Sequence, residues 1–457
     1  MNDLHIRHLV QKTPSCPIFL PYDLTFCQLS DNYELDIVSK TRRRSNLKIN
    51  QKRFQEHIET LAEIGKIGET GVCRLAHSKE DREAVDVVRL WMEEAGLDTH
   101  IDGFGNLVGR VEGKEKDKPI LMLGSHIDSQ PYGGRFDGTL GALGAIEVVH
   151  TMKEEGITPN RSIEVICFAD EEGSRFNKGV FGVRGIIGQL EEGELERKDK
   201  NGVTRLEALR EFGVEPDLSQ SPVYKPGDIE AFLELHIEQG PVLESQNKPV
   251  GIVSAISGPI WLTVTLEGFA GHAGSVPMNL RQDAFLGASI ITKEFNELVL
   301  NEGTPNTVGT VGSVQTFPNS RNIIPEKVEF TIDLRDIDLD ARTKLEKKLY
   351  EIIERTSREH NLEFSISEDT RSDPRYCADW IKDIMKKEDE QLGYDSPTLM
   401  SGPFHDALFM SYISDYGMIF VRCEKGISHN PLEYAEMEDM QKGVELLYHT
   451  ALKIAQS

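Results

Sequence analysis

The sequence is poor in cysteine and in positive charge, and each shortage excludes a class of protein. Its 457 residues include six cysteines without CxxC spacing, which argues against a disulfide scaffold or a zinc ribbon and favours reduced thiols in the cytoplasm. Lys and Arg number 51 and Asp and Glu number 76, which gives a net charge of −25. Because so acidic a surface repels phosphate groups, we expect the protein to bind neither nucleic acid nor an anionic membrane.

Long apolar runs are also missing. No segment has the roughly 20 consecutive apolar residues that a membrane-spanning helix needs. An apolar stretch at residues 17–29 contains Pro21 and Asp23 and follows no basic segment of the signal-peptide type, so we expect no signal peptide. The remaining composition, 39% hydrophobic and 28% charged residues, is typical of a globular protein with more than one domain.

Residues 1–53 differ in charge from the rest of the chain. They contain nine Lys and Arg against five Asp and Glu, whereas the whole chain is strongly acidic. Their basic cluster at residues 42–44 and their scattered prolines show little periodicity. We interpret residues 1–53 as a weakly ordered N-terminal extension, with a targeting arm or a start codon placed too far upstream as the alternatives.

From residue 54 onward, apolar strands alternate with helical patterns. Residues 119–124 and 162–169 are continuous apolar runs of strand length, typical of strands buried on both faces. Helices are predicted over residues 79–95 and 141–154. This alternation predicts an α/β fold with a mainly parallel sheet covered by helices.

The order of elements changes to βαββαβ in the middle of the chain, which is the order of a ferredoxin-like sandwich. A strand is predicted over residues 307–317, and another over residues 327–335, where apolar and polar side chains alternate. We therefore predict that residues 252–368 form a lid and dimerisation domain. It is inserted into a catalytic domain made of residues 54–251 and 369–457.

Acids and histidines follow several of the predicted strands. They are His126 and Asp128 in GSHIDS, Asp137 in GGRFDG, Glu171 and Glu172 in DEEG, His236 in LHIEQG, and His429 in GISHNP. Each segment alone is more simply explained as a solvated turn or a surface histidine. Together they offer three histidines and several carboxylates at strand ends, where α/β sheets bind ligands. That composition predicts a divalent metal site, and a carboxylate shared by two ions would make a two-metal hydrolytic centre.

With these motifs the sequence resembles the M20 metallopeptidase superfamily, and within it the amidase/hydantoinase/carbamoylase group. The resemblance runs from about residue 54 to residue 454. The matching segments are SHIDSQPYGGRFDGTLGALGAIEVV, FADEEGSRF, LHIEQGPVLE, GFAGHAGSVPM, SRNIIPEKVEFTIDLRD, SGPFHDA and GISHNP. Seven such segments in one order are specific, whereas any one of them alone is not.

The resemblance implies a role for each matching residue. The implied metal ligands are Asp137, which bridges two ions, His126 and His236 on one ion, and Glu172 and His429 on the other. The implied catalytic residues are Glu171 as general base, Asp128 as the orienter of His126, and His272 as a donor to the developing oxyanion. The implied substrate-binding residues are Gln239, His272, Asn322, Arg335 and Gly402. The ions are expected to be zinc, manganese or cobalt, because such sites accept several divalent metals.

The implied reaction is hydrolysis of a terminal ureido group. An N-carbamoyl-L-amino acid and water would give the amino acid, carbon dioxide and ammonia. Alternatives within the group are allantoate or ureidoglycolate amidohydrolase and β-ureidopropionase. An M20 peptidase and a catalytically inactive metal-binding protein are more distant alternatives. The resemblance also implies a homodimer and a small ureido substrate that carries a carboxylate.

Residues near the implied substrate site bear on which substrate the chain takes. Arg335 lies on the polar face of its predicted strand and can bind a carboxylate with two donors, although an ion pair with Asp333 is the alternative. Relatives usually have SGAGHDA where this chain has SGPFHDA, so Pro403 and Phe404 make the loop stiffer and bulkier. Trp261 favours the carbamoylase slightly, because an allantoate enzyme would be better served there by a hydrogen-bond donor.

Overall fold

A computed structural model describes residues 48–216, 218 and 221–457. Most of the predicted N-terminal extension therefore lies outside the described residues. Its last residues, however, belong to the first turn of a helix that begins at Gln51. The side chain of Asn50 caps this helix by accepting a hydrogen bond from the Arg53 amide, and Phe54 anchors it in the core.

The elements are numbered here along the described chain. The helices are α1 Gln51–Glu63, α2 Lys79–Glu94, α3 Thr139–Glu154, α4 Phe181–Ile186, α5 Arg205–Phe212, α6 Val242–Ser245, α7 Ala284–Glu302, α8 Leu339–Glu359, α9 Asp379–Leu392, α10 Asp406–Met410 and α11 Met437–Gln456. The strands are β1 Lys66–Ile67, β2 Gly71–Val72, β3 Asp98–Ile101, β4 Leu107–Val111, β5 Ile120–His126, β6 Ile163–Phe168, β7 Ile229–Ile237, β8 Val250–Ile256, β9 Gly258–Glu267, β10 Gly271–His272, β11 Val308–Thr310, β12 Val314–Phe317, β13 Ile323–Ile324, β14 Lys327–Asp336, β15 Glu363–Arg371, β16 Arg375–Tyr376, β17 Thr398–Ser401 and β18 Asp415–Val421.

The larger sheet has nine strands in the order β16-β8-β18-β7-β5-β6-β4-β3, with β17 beside β8. Its four central strands, β18, β7, β5 and β6, are parallel neighbours. Both apolar runs predicted to be strands are completely buried in this sheet. Helices α3 and α11 pack on one another and on these strands. The prediction of an α/β fold with a mainly parallel sheet is confirmed.

The smaller sheet is antiparallel, in the order β11-β14-β9-β15, with β12 also paired to β14. Helices α7 and α8 cover one face and enclose a second apolar core. This is the βαββαβ arrangement that the order of elements predicted. The predicted strand over residues 307–317 is in fact two strands, because Ser313 leaves the ladder and pairs with the main chain and the hydroxyl of Thr331. A short ribbon of β10 and β13 extends from this sheet.

The chain crosses between the two sheets at two adjacent points. Strand β8 of the larger sheet is followed directly by β9 of the smaller one, and the return crossing leads from β15 to β16, which pairs with β8. A β-carbon on Gly258 would lie 2.5 Å from the Ser372 oxygen, so only glycine lets the two crossings touch. The guanidinium of Arg342 donates to the carbonyl oxygens of both residues, at 2.6 and 2.5 Å. The smaller sheet thus spans residues 258–371, so it begins six residues later and ends three residues later than the predicted insertion of residues 252–368.

Two further expectations concern membranes and thiols. Among the residues with described positions, no helix is long and apolar enough to cross a membrane. Cys73, Cys167, Cys377 and Cys423 are free thiols. Cys16 and Cys27 lie outside the described residues, and the prediction that the thiols are reduced stays a prediction.

Candidate metal centre and substrate cavity

The histidines and acids of the predicted site lie at one edge of the larger sheet. His126 is the last residue of β5, and His236 is the penultimate residue of β7. Glu171 and Glu172 follow β6, and His429 follows β18. Because β18, β7, β5 and β6 are parallel neighbours, their carboxyl ends meet at the same edge and bring these side chains together.

The carboxylate of Asp137 lies at the centre of this cluster. Its Oδ1 is 3.1 Å from Nε2 of His236 and 3.7 Å from Nε2 of His126. Its Oδ2 is 3.2 Å from Nε2 of His429, which in turn lies 3.4 Å from Oε2 of Glu172. Two groups of potential ligand atoms result, each with its atoms within 4.8 Å of one another, and Asp137 belongs to both.

The surroundings of Asp137 fit divalent metal ions. Imidazole and carboxylate are the ligands that zinc, manganese and cobalt accept. Gly138 has a positive φ of 62°, and a β-carbon there would lie 2.4 Å from the His126 ring. Glycine at this position therefore leaves room for the buried His126 imidazole to approach Asp137.

The charges of the cluster depend strongly on its burial. Although burial alone would raise the pKa of Asp137, hydrogen bonds from His236 and His429 hold that pKa well below its usual range. The same contacts raise the pKa of both histidines to about 9. Burial lowers the pKa of His126 to about 4, so this ring is neutral at pH 7 and can serve as a ligand. Metal binding displaces the protons of imidazole ligands. The anionic carboxylate of Asp137, surrounded by such imidazoles, is therefore suited to bind a cation.

Asp128 supports the acidic turn after β6. Its carboxylate accepts hydrogen bonds from the amides of Glu171, at 3.1 Å, and Glu172, at 3.2 Å. The ring nitrogen Nδ1 of His126 lies 3.1 Å from the main-chain oxygen of Asp128 and 3.8 Å from its carboxylate. The role of Asp128 as the orienter of His126 stays a prediction. The main-chain oxygen of Asp128 lies nearer to the His126 ring than its carboxylate does.

The two glutamates of the turn face different parts of the cluster. Oε2 of Glu171 lies 3.7 Å from Nε2 of His126, whereas Glu172 contacts His429. Burial raises the pKa of Glu171 well above its usual value, and the charges of Asp406 and Glu172 add to this effect. A carboxylate that readily takes up a proton beside the cluster has the properties of a general base.

A cavity of about 970 Å³ opens over the cluster and reaches the smaller sheet. The three histidines, Asp137, Glu171, Glu172, Gln239 and Arg335 all line it. Gln239 donates a hydrogen bond from Nε2 to Asp137, at 2.9 Å. Of the predicted substrate-binding residues, the cavity thus brings Gln239 and Arg335 together with the candidate ligands.

Arg335 also forms the ion pair with Asp333 that the sequence analysis gave as the alternative. Its Nε and Nη2 donate to the carboxylate of Asp333, at 2.9 and 2.8 Å, and its Nη1 donates to the main-chain oxygen of Gly402, at 2.8 Å. Gly402 therefore meets Arg335 through its carbonyl group.

His272 and Asn322 do not line the cavity of their own chain. They lie on and beside the β10–β13 ribbon, where the Ala273 amide donates to the oxygen of Asn322, at 2.9 Å. Both are exposed. The Nδ1 of His272 accepts a hydrogen bond from the Gly274 amide, at 3.0 Å. Their predicted roles stay predictions.

Glu433 and Ser428 belong to the candidate site although the sequence analysis assigned neither a role: Glu433 lies outside the quoted motifs, and Ser428 precedes His429 within GISHNP. Oε1 of the buried Glu433 accepts hydrogen bonds from the amides of Phe136, at 2.9 Å, and Asp137, at 3.1 Å. The hydroxyl of Ser428 donates to the Asp137 carboxylate, at 2.8 Å. A β-carbon on Gly134 would lie 2.1 Å from Glu433. Gly134, the second glycine of GGRFDG, is the residue in the sequence that could have indicated another side chain packed against this loop.

Comparisons with known proteins agree with this architecture. The profile of Peptidase family M20/M25/M40 matches residues 122–453. An N-carbamoyl-L-amino-acid amidohydrolase of Pseudomonas sp. (strain NS671) is 48% identical over 407 residues, which are 89% of this chain and 98% of that protein. The N-carbamoyl-L-amino acid amidohydrolase of Geobacillus stearothermophilus is 41% identical over 89% of this chain and 99% of its own length. A crystal structure of an amidase of the hydantoinase/carbamoylase family from Burkholderia multivorans superposes with a TM-score of 0.85 at 36% identity, covering 90% of this chain and 99% of that one.

Proposed function

The chain belongs to Peptidase family M20/M25/M40, and we propose that it is a metal-dependent amidohydrolase that cleaves N-carbamoyl-L-amino acids. It acts on carbon–nitrogen bonds other than peptide bonds, as do the two amidohydrolases that it resembles over 89% of its length. The products are the free amino acid, carbon dioxide and ammonia.

One observation carries this proposal: the ligand cluster around Asp137 and the guanidinium of Arg335 face the same cavity. An N-carbamoyl amino acid has a carboxylate at one end and a ureido carbonyl at the other. Three of the five N–H groups of the Arg335 guanidinium are donated to Asp333 and Gly402, and the remaining two can be donated to the carboxylate. The cluster and Glu171 lie where the ureido group would then reach.

The residues of the cavity divide the chemical work between them. We propose that His126, Asp137 and His236 hold one divalent ion and that Asp137, Glu172 and His429 hold a second. When bound, such ions supply a Lewis acid that polarises the ureido carbonyl and helps water to lose a proton. Glu171 accepts that proton and delivers it to the departing nitrogen, because burial keeps its pKa high.

The attack forms a bond between the water oxygen and the ureido carbon, and the bond to the terminal nitrogen breaks. Ammonia leaves with the proton that Glu171 returns. The remaining carbamate loses carbon dioxide to give the amino acid. Gln239 lies beside Asp137 and donates its side-chain NH2 group to Asp137 and Ser428. Its oxygen Oε1 has no partner among the described residues and can accept a hydrogen bond from a ureido nitrogen.

We further propose that the protein is a cytoplasmic homodimer containing zinc, manganese or cobalt. His272 and Asn322 are exposed beside the ribbon and lie outside their own cavity. If His272 and Asn322 contribute to a substrate site, that site would be in the cavity of a second copy of the chain. A cytoplasmic location is in keeping with the four free thiols and the acidic composition.

The proposal is tested by measuring ammonia release from four ureides in parallel with metal-loaded protein. These are N-carbamoyl-L-methionine, N-carbamoyl-β-alanine, allantoate and ureidoglycolate. We expect the first to be turned over with the highest kcat/KM. A dipeptide is included for the peptidase alternative, and N-carbamoyl-D-methionine tests stereospecificity. Preference for allantoate or ureidoglycolate would replace the proposed substrate, and inactivity on all four ureides would exclude ureido hydrolysis.

A further inference from the structure

The wall of the cavity next to Arg335 is aromatic. Trp261 lies on β9 and is paired directly opposite Asp333 of β14, the residue that binds Arg335. The Arg335 guanidinium is 5.8 Å from the centre of the Trp261 ring. Along β9, buried residues alternate with Trp261, so its ring lies on the face of the sheet opposite α7 and α8, which is the face towards the cavity.

The other half of this wall comes from helix α10 and the residues on either side of it. Phe404 lies 6.4 Å from the Trp261 ring, centre to centre, with the ring planes inclined at 42°. Phe404 and Phe409 pack against the main apolar core on one side and line the cavity on the other. Tyr412 also lines the cavity, 6.1 Å from Phe409. We call these four residues the aromatic wall.

The charged groups at the same end of the cavity already have partners. Arg371 donates to Glu346 and Glu368, and Asp369 accepts a hydrogen bond from Thr263, at 2.7 Å. A polar substituent would have to compete with these contacts. In the aromatic wall, by contrast, Trp261 and Tyr412 are exposed and Phe404 and Phe409 are partly buried, so an apolar group that covers the wall would remove aromatic surface from water.

From this arrangement we infer that the aromatic wall selects N-carbamoyl-L-amino acids with large apolar side chains, and that Trp261 and Phe404 are its specificity-determining residues. The inference rests on the proposed function. In an α-amino acid the side chain is attached to the carbon that bears the carboxylate. When Arg335 holds that carboxylate, the side chain starts beside Trp261 and extends towards Phe404. A glycine derivative leaves this space empty, and the second ureido group of allantoate would lie against aromatic carbon.

The experiment compares kcat/KM for N-carbamoyl-L-phenylalanine, N-carbamoyl-L-leucine, N-carbamoylglycine and allantoate with the metal-loaded full chain. We expect the phenylalanine compound to exceed the glycine compound by at least about 10-fold, the scale at which apolar pockets discriminate. Trp261→Ala and Phe404→Ala should each reduce that ratio by about 10-fold or more. The loss should arise mainly in KM, because the wall is expected to bind ground state and transition state alike.

Phe364→Ala is the matched control. Phe364 is an exposed aromatic residue on the same sheet, but it pairs with the core residue Leu266 and so lies on the opposite face from Trp261. Its replacement should leave the ratio unchanged. If Phe404→Ala fails to fold by circular dichroism, Phe404→Leu and Trp261→Ala carry the test.

The possible failures are distinguishable. Turnover of the glycine compound at a rate equal to or above that of the phenylalanine compound overturns the selectivity and leaves the proposed function standing. An equal loss on both compounds in the Trp261 and Phe404 variants makes these residues structural and also overturns it. If no N-carbamoyl amino acid is hydrolysed, the proposed function falls and this inference with it.

Discussion

Arg335 and Gly402 connect the two sheets directly. The Nη1 of Arg335, on β14 of the smaller sheet, donates a hydrogen bond to the main-chain oxygen of Gly402, at 2.8 Å. Gly402 follows β17 of the larger sheet, and its oxygen also accepts a hydrogen bond from the hydroxyl of Ser257, at the crossing between the sheets. The guanidinium is thereby held over the cavity with a defined orientation.

Arg335→Lys should weaken substrates that carry a carboxylate. Lysine keeps the charge but cannot bind a carboxylate, Asp333 and Gly402 with a planar set of donors. Loss of one charge-assisted hydrogen bond costs about 1.5–3 kcal/mol, or about 10- to 150-fold in kcat/KM. Kinetics with N-carbamoyl-L-phenylalanine and with its neutral carboxamide measure the effect. The surface replacement Arg355→Lys is the control, and an equal loss on both substrates would make Arg335 structural.

Asp137→Asn should remove at least one equivalent of metal per chain and abolish activity. Asp137 is the only member shared by the two candidate ligand groups among the described residues, so neutralising it weakens both. Elemental analysis after dialysis measures the metal content. Asp199→Asn, which alters a carboxylate paired with Arg175 elsewhere in the chain, should keep its metal. Full metal content with normal turnover in the Asp137 variant would refute a bridging role.

Glu171→Gln and Glu172→Gln should behave differently although the residues are neighbours. The first removes a proton acceptor and should lower kcat by at least about 100-fold while metal is retained. The second removes a carboxylate beside His429, at 3.4 Å, and should release metal. Parallel metal analysis and kinetics separate the two effects. The reverse result would mean that the two roles are exchanged.

Glu433→Ala should reduce metal affinity by about 10- to 100-fold, as the loss of outer-shell support typically does. The change leaves the amides of Phe136 and Asp137 without the carboxylate that holds their loop. Glu433→Gln should lose less, because an amide oxygen can still accept both hydrogen bonds. Titration with a competing chelator gives both affinities. Equal affinities in Glu433→Ala and the unaltered protein would show that the loop does not depend on Glu433.

Asp81 should make stability depend on pH. Burial raises its pKa from 3.8 to about 7 in the folded protein. Between these values the folded chain keeps a proton that the unfolded chain has lost, so the free energy of unfolding falls as the pH rises through this window. Asp81→Asn removes this loss and can still accept the hydrogen bond from the His77 amide. Urea unfolding at pH 5 and pH 8 should show a stabilisation that is larger at pH 8, by about 2 kcal/mol. If Asp81→Asn changed the free energy of unfolding by the same amount at pH 5 and at pH 8, the raised pKa of Asp81 would be contradicted.

Much of the fold could be predicted because its signals are local. The apolar runs that became β5 and β6, and the alternation along β14, depend only on neighbouring residues and on whether one face or both faces are buried. The strand over residues 307–317 was wrong in one respect, because the break at Ser313 depends on its pairing with Thr331 of another strand. The helices predicted over residues 79–95 and 141–154 are in fact Lys79–Glu94 and Thr139–Glu154.

The sequence by itself determined which residue types stand at the ends of the buried strands, since motif and strand are continuous in the chain. Only the tertiary structure decided which of them meet. The order β18-β7-β5-β6 places His429 and Asp137 3.2 Å apart although they are far apart in sequence, and it places Glu433 beneath the loop of Asp137. Arg335 shows both cases, because its partner Asp333 is two residues away and could be named from the sequence, whereas its partner Gly402 is brought to it only by the tertiary structure. Strand order is set by packing of the whole core, and no local pattern of residues records it.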